Sequence, residues 1–384
     1  MSGEKGVRIL NTYSSEIKTE TDTPPGVSFC KETTMNLVPH VKKVYLELTQ
    51  QCNLNCVTCF RKNWHMPLIV MKDDVFNQVN ASLHASETLA EIVIGGIGEP
   101  TTHPKFIEYV HSLPDVKLSI TTNAFLWSDE VVDLLAKRFE RVIISVDGLP
   151  ETFFKIREFD FSRLEKNVAR LNRKKEEYHR NRPFLVAQLV LSTWNIEDVT
   201  PLFPYLQRMK FMKLILSNLL PQSEEDKDLI VYTKYHNQRL HDLKNEWLNA
   251  SMRHQIQIKF PNIELKTERK CYFVEDGTTT ITANGDVAPC YRFAHPSIEY
   301  VFGRRKQVYE FYYGNVLNQT LEEIYQSRGY VDLRNQNYAN RFPSCPDCDL
   351  VDSCDYINDS LCDCKGQYPS CADCLWTRGF VECI

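Results

Sequence analysis

Short apolar runs alternate with longer amphipathic stretches through the first half of the chain. Six runs, at residues 44–48, 91–95, 116–121, 142–146, 184–191 and 213–217, are rich in valine, isoleucine and leucine. Each is too short for a helix and reads as a strand buried on both faces. Between them apolar positions recur at helical spacing. Residues 74–84 place Val75, Phe76, Val79 and Leu83 on one face, and a charged helical stretch spans 163–178. Six strand–helix repeats predict a parallel sheet covered by helices. The expected fold is α/β, a partial (β/α)6 barrel short of the closed eight-stranded form.

The pattern also divides the chain. Residues 1–40 are polar, carry Pro24-Pro25-Gly26 and read as an N-terminal arm. Residues 41–222 hold the six repeats, and 223–264 form a charged helical bridge. From 265 to 384 the chain has turns at Asn284-Gly285, Gly303 and Gly314-Asn315 but little periodic apolar pattern. A small cysteine-rich domain is expected there, with metal clusters in place of a self-sufficient core.

Composition narrows the classes. With 384 residues, 43% of them hydrophobic, the chain can bury a large catalytic domain and a smaller one. A net charge of −5 and a pI near 6.1 give no reason to expect nucleic-acid or membrane-surface binding. The N-terminal sequence lacks the apolar core of a signal peptide, and no run is long enough to span a bilayer. A cytoplasmic location is expected.

Fourteen cysteines then stand out. In a reducing cytosol clustered cysteines are metal ligands or catalytic thiols more often than disulfides. Cys52, Cys56 and Cys59 lie together, ten more fall between Cys271 and Cys383, and residues 60–270 hold none. Two metal-binding regions are expected.

The first is CxxxCxxC, directly after the first strand. Loops beyond the C-terminal ends of parallel strands face the ligand crevice, so three thiolates converge there. Three cysteines on a 4Fe–4S cubane leave one iron open. A structural zinc knuckle completed by His65 or His103 is the alternative. One repeat later comes Gly95-Gly96-Ile97-Gly98-Glu99-Pro100, where glycines admit close backbone approach and Glu99 offers an acceptor for an ammonium group.

Together the cysteine loop and glycine turn resemble the radical SAM superfamily, over residues 41–220. The resemblance implies that Cys52, Cys56 and Cys59 bind a 4Fe–4S cluster whose open iron chelates S-adenosylmethionine (SAM). It places Phe60 near the adenine, and gives the methionine amino group to Glu99 and the turn of Gly95, Gly96 and Gly98. It also puts Thr122, Asn123, Ser145 and Asp147 at positions that commonly touch the ribose or carboxylate; ordinary turn chemistry is an equal reading of Thr122 and Ser145. The implied reaction is reductive cleavage of SAM to a 5′-deoxyadenosyl radical, with a flavodoxin- or ferredoxin-like electron donor.

In the second region, Cys290 closing a GxxxxC and the run Cys345-x2-Cys348-x5-Cys354 resemble the SPASM extension, which carries auxiliary 4Fe–4S clusters. The resemblance assigns Cys271 and Cys290 to a first auxiliary cluster, and Cys345, Cys348 and Cys354 to a second. The pattern then departs, with Asn358 where another cysteine is usual. Cys362 or Cys364 is expected to serve the first cluster, and Cys371 or Cys374 the second. A four-thiolate zinc site from the two C-x-x-C pairs is the alternative.

Tyr291 stands where sulfatase-maturing relatives carry an acidic residue, which argues against that role. The Cys59–Trp64 run, the GGIGEP turn and the C-terminal cysteines are similar to maturases associated with tungsten-containing aldehyde oxidoreductases. The substrate is then a protein, peptide or cofactor precursor. The rivals are a radical SAM enzyme modifying a ribosomal precursor peptide and a zinc-stabilised binding protein.

Overall fold

A computed structural model of the chain describes residues 40–382 apart from residue 65. The expected arm before residue 40, Cys30, His65 and Cys383 lie outside the described residues.

All six sequence-predicted strands form, as β1 (Lys43–Leu46), β2 (Glu91–Ile94), β3 (Lys117–Thr122), β4 (Arg141–Ser145), β5 (Phe184–Leu191) and β6 (Lys213–Asn218). They lie in chain order and all pair in parallel. Alternation explains why each run is apolar throughout. Val44, Leu46, Ile92, Ile94, Val142, Ile144, Leu214 and Leu216 face the helices in the main core. Tyr45 and Val93, and separately Ile143, Val186 and Ile215, face the other way into small clusters of their own.

The helices cover the outer face. α1 (Asp73–Ala85) buries the four apolar residues read from its periodicity, with Asp73 and Asp74 at its positive end. α2 (Phe106–Ser112), α3 (Asp129–Arg138) and α4 (Pro150–Arg157) follow. α5 (Phe161–Glu177) starts at Asp160, whose carboxylate accepts from Ser162 N at 2.8 Å. α6 (Val199–Arg208) precedes β6. No described helix is long and apolar enough to cross a membrane.

The sheet extends past the six repeats at both edges. The bridge region yields α7 (Gln238–His254) and then β7 (Gln257–Lys259), which pairs in parallel with β6. At the opposite edge β8 (Thr278–Ile281) pairs in parallel with β1, and β9 (Asp286–Ala288) turns back against β8 through Asn284-Gly285. The order is linear, with β12 (Gly314–Asn315) outside β9, so the barrel is open. The cysteine-rich segment therefore continues the sheet across residue 265. Its strand β8 reads as polar Thr-Thr-Thr-Ile, yet all four residues are buried. A separate antiparallel pair, β10 (Ser297–Val301) and β11 (Arg304–Val308), completes the strands.

Candidate active site

The C-terminal ends of β1 to β5 open into a cavity of about 320 Å³. Cys52, Cys56 and Cys59 line it, on the loop that leaves β1 and ends in a short turn at Phe60–Asn63. Arg61 pins this loop, its guanidinium donating to the carbonyls of Leu54 at 2.9 Å and Gln50 at 3.4 Å. Cys52 Sγ accepts from Leu54 N at 3.4 Å and Asn123 Nδ2 at 3.7 Å, and Cys56 Sγ from Arg157 at 3.8 Å. Burial pushes both the Cys52 and Cys56 thiols up, against the pull of Arg61 and Arg157 respectively.

The glycine turn crosses directly over this loop. A side chain at Gly98 would meet Thr49 O at 2.2 Å, so only glycine lets Glu99 N reach Gln51 O at 2.8 Å. Gly96 has φ +115° and lies against Glu47. Glu99 lines the cavity but is 2% exposed. Its Oε1 accepts from Thr122 Oγ1 (2.8 Å) and from the Thr101 hydroxyl (2.7 Å) and amide (3.3 Å), while among the described residues Oε2 accepts from Asn123 N alone (2.7 Å). Burial raises its pKa despite these hydrogen bonds. A cation near Oε2 would favour the ionised form.

Phe60, Gly96, Gly98, Glu99, Thr122, Asn123 and Ser145 all line the cavity; Gly95 and Asp147 do not. Gly95 directly follows β2, and a side chain there would meet Thr121 Oγ1 at 2.3 Å. Asp147 is buried behind the wall, accepting from Val190 N at 2.9 Å and pairing with Arg157 at 2.6 Å. Its partner Arg157 in turn reaches Cys56.

Sequence reasoning missed the roof. Tyr291, Arg292, His295, Trp376 and Glu382 close the cavity from the C-terminal region. His295 Nε2 lies 2.8 Å from Oε2 of the buried Glu47, which also accepts from Ile97 N at 3.3 Å. The only available signal was Glu47 itself, a lone carboxylate inside an apolar strand run.

Next to this cavity a second pocket is lined by Cys271, Cys290, Cys371 and Cys374. Tyr291, Arg292 and Trp376 belong to both walls. Burial, then neighbouring thiols, push Cys290 and Cys371 far above the usual thiol range. This reverses the allocation expected from sequence: Cys371 and Cys374 sit with the first pair. Arg292 is the reason, because its guanidinium donates to Ser370 O at 3.2 Å and faces Asp373 at 3.5 Å, drawing that segment to Cys290. Cys364 instead lies close enough to Cys345 to raise its pKa, as does Cys354; with burial the larger cause, the Cys345 thiol is pushed up to about 11. Cys348 follows Cys345 in the same turn, its amide bonded to Cys345 O at 3.2 Å. Cys362 Sγ contacts Asp363 O at 3.4 Å.

These donor sets fit iron–sulfur clusters. A zinc–thiolate tetrahedron with bonds of about 2.3 Å brings its sulfurs to about 3.8 Å from one another. Among the described residues no three cysteine sulfurs lie within even 4.8 Å of one another, whereas a polynuclear cluster holds its thiolates further apart. His103 is also unsuited to a zinc site. Its Nδ1 accepts from Lys105 N at 3.1 Å and its Nε2 donates to Met71 O at 3.0 Å, so both ring nitrogens are committed.

Comparison with known proteins agrees. The sequence model of the radical SAM superfamily matches residues 46–198, and that of the SPASM iron–sulfur cluster-binding domain matches 271–349. The tungsten-containing aldehyde ferredoxin oxidoreductase cofactor-modifying protein of Pyrococcus furiosus is 35% identical over 350 residues, covering 89% of this chain and 97% of that protein. The GTP 3′,8-cyclase of Clostridium perfringens is 29% identical over 118 residues, covering 29% of this chain and 36% of the cyclase. Among solved structures, Streptococcus suis SuiB bound to S-adenosylmethionine superposes with a TM-score of 0.59 at 18% identity, covering 88% of this chain and 77% of SuiB. Native anSMEcpe with bound AdoMet gives 0.55 at 18% identity, covering 80% of this chain and 87% of the other.

Proposed function

The chain belongs to the radical SAM superfamily and carries a SPASM iron–sulfur domain, and from that membership we propose that it matures the cofactor of a tungsten-containing oxidoreductase. The observation that carries the reading is the shared wall: one cavity meets the three-cysteine loop on one side and the four-cysteine pocket on the other, across Tyr291, Arg292 and Trp376. A substrate in this cavity lies between a radical-generating cluster and an auxiliary one. The extent of the match to the Pyrococcus protein, over nearly its whole length, supports the tungsten-cofactor substrate.

In this reading Cys52, Cys56 and Cys59 hold the cluster that binds SAM. Cys271, Cys290, Cys371 and Cys374 hold a first auxiliary cluster, and Cys345, Cys348, Cys354 and Cys364 a second. A 4Fe–4S cluster on these three thiolates would supply one electron for reductive cleavage of SAM into methionine and a 5′-deoxyadenosyl radical able to take a hydrogen atom from the substrate. The protein's own residues orient and enclose. Glu99 Oε2 and the turn at Gly96 and Gly98 receive the SAM amino group, Phe60 packs on the adenine, and Thr122, Asn123 and Ser145 contact the ribose or carboxylate. Asp147 holds Arg157 against Cys56, and the aromatic roof keeps water out. The enzyme works in the cytoplasm and draws electrons from a flavodoxin- or ferredoxin-like donor. Residues 41–222 form the SAM-cleaving unit, 223–264 its bridge, and 265–384 the auxiliary-cluster unit.

Anaerobic co-expression with an apo tungsten-containing oxidoreductase tests the substrate. Oxidoreductase activity is expected with the wild-type chain and not with the Cys52→Ala variant. Equal activity with both would remove the tungsten cofactor as the target.

Glu99→Gln tests the SAM contact. Alanine is the poorer choice, since it strands Asn123 N and two threonine hydroxyls and costs about 1–3 kcal/mol for each buried group left unsatisfied. Glutamine keeps an oxygen for the threonine donors on Oε1, leaving Asn123 N the one amide without its acceptor, and loses the charge-assisted bond, so the SAM dissociation constant should rise about tenfold. Anaerobic calorimetric titration of the reconstituted proteins reads this, and equal affinities would take Glu99 out of the site.

A further inference from the structure

Upstream of Cys271, His236, His241 and Glu264 turn their ligand atoms toward one another. All three atoms lie within 4.8 Å, the one such group among the described residues. Two stretches of backbone meet here, residues 233–241 and 263–265. Thr233 pairs with Glu264 in a parallel bridge, with Thr233 N bonded to Ile263 O at 3.1 Å and Leu265 N to Lys234 O at 3.3 Å. His236 precedes the Asn237 cap of α7, and His241 sits in that helix's first turn.

One contact is a long hydrogen bond and the other is too long for one, while both separations match two ligands on a shared metal. His241 Nε2 stands 3.3 Å and His236 Nδ1 3.6 Å from the same oxygen, Glu264 Oε2. The second distance is beyond a hydrogen bond. A tetrahedral zinc ion with bonds of about 2.0–2.2 Å sets its ligand atoms about 3.3–3.6 Å apart.

A further layer fixes the histidine tautomer. Gln238 Nε2 donates to Asp242 Oδ1 at 2.8 Å, which leaves Gln238 Oε1 facing His236 Nε2 at 3.1 Å. His236 must then carry its proton on Nε2, and the lone pair of Nδ1 points to Glu264. Histidine ligands in metal sites are oriented by this arrangement, with the far ring nitrogen donating to an oxygen.

We propose that His236, His241 and Glu264 bind a single divalent metal ion of the zinc class, with the fourth position open to water. Two imidazole nitrogens and a carboxylate suit zinc over magnesium or calcium, which prefer oxygen ligands. The ion pins the chain before α7 to the segment around Glu264, which runs on to Cys271. Lys266 and Thr267 in that segment accept hydrogen bonds from Arg378, at 2.8 and 3.1 Å. The site lies outside the cavity and does not rest on the function proposed above.

Isothermal titration of zinc chloride into the anaerobically reconstituted, chelator-washed holoenzyme tests this. The wild-type chain should bind zinc at a site that the His236→Ala/His241→Ala variant lacks, with affinity at least about 100-fold weaker in the variant; Gln238→Ala should weaken binding about 10- to 100-fold. Iron content and the visible spectrum, equal in all three proteins, would show that the variants fold and that cluster cysteines are not the difference. The same isotherm for wild type and double variant, whether it shows zinc bound elsewhere or none, would overturn the proposal.

Discussion

Replacing Arg292 with methionine is expected to lower the stability of the folded chain by about 3–5 kcal/mol, the cost of stranding a buried charge. The Arg292 side chain is 1% exposed, and its partners Glu299 and Asp373 are 2% and 0% exposed. Burial works against the charge, yet Glu299, Cys374 and Asp373 outweigh it and hold the guanidinium protonated, well above its ordinary pKa. Arg292 donates to Glu299 at 2.9–3.1 Å, and Lys306 faces Asp373 at 3.2 Å. Without Arg292, Glu299 keeps a buried charge and loses its ion-pair partner. The Arg292→Met/Glu299→Leu double variant should recover much of the loss, because a buried pair contributes little over apolar residues of similar volume. The same change loosens the link between Cys290 and the Cys371–Cys374 segment, so iron at the first auxiliary site should fall as well. The shift in denaturant midpoint, measured anaerobically, reads the first effect and metal analysis the second. An unchanged midpoint in the single variant would contradict this account of the roof.

Much of the fold was legible because local pattern and tertiary role coincide. The six apolar runs are strands since both faces of each are covered, and α1 buries the residues its periodicity marks. The sheet's extra strands were not legible. β7 has three residues and β8 four, too short for a period, and the threonines of β8 are buried by pairing with β1 and not by their own hydrophobicity. The cysteine loop and glycine turn could be read as one site because both follow strand ends in adjacent repeats. The grouping of the late cysteines could not. It depends on a buried ion pair between Arg292 and Asp373, which are distant in sequence, and spacing carries no trace of it. Asp147 shows the converse limit. Its place after β4 suggested ligand contact, yet Arg157, ten residues on, claims its carboxylate.

The second large effect concerns the chemistry itself. The Cys52→Ala/Cys56→Ala/Cys59→Ala variant removes every thiolate of the β1 loop and none of those lining the auxiliary pocket. Loss of one 4Fe–4S cluster of three should lower iron by about four atoms per chain. Cleavage of SAM needs a cluster iron next to the sulfonium, which auxiliary clusters with the four-cysteine ligand sets proposed above would not offer. Formation of 5′-deoxyadenosine from SAM and a chemical reductant, measured on the anaerobically reconstituted proteins, is the most direct test. The account predicts steady product from wild type and none from the triple variant, whose auxiliary iron persists. Undiminished 5′-deoxyadenosine from the triple variant would contradict it.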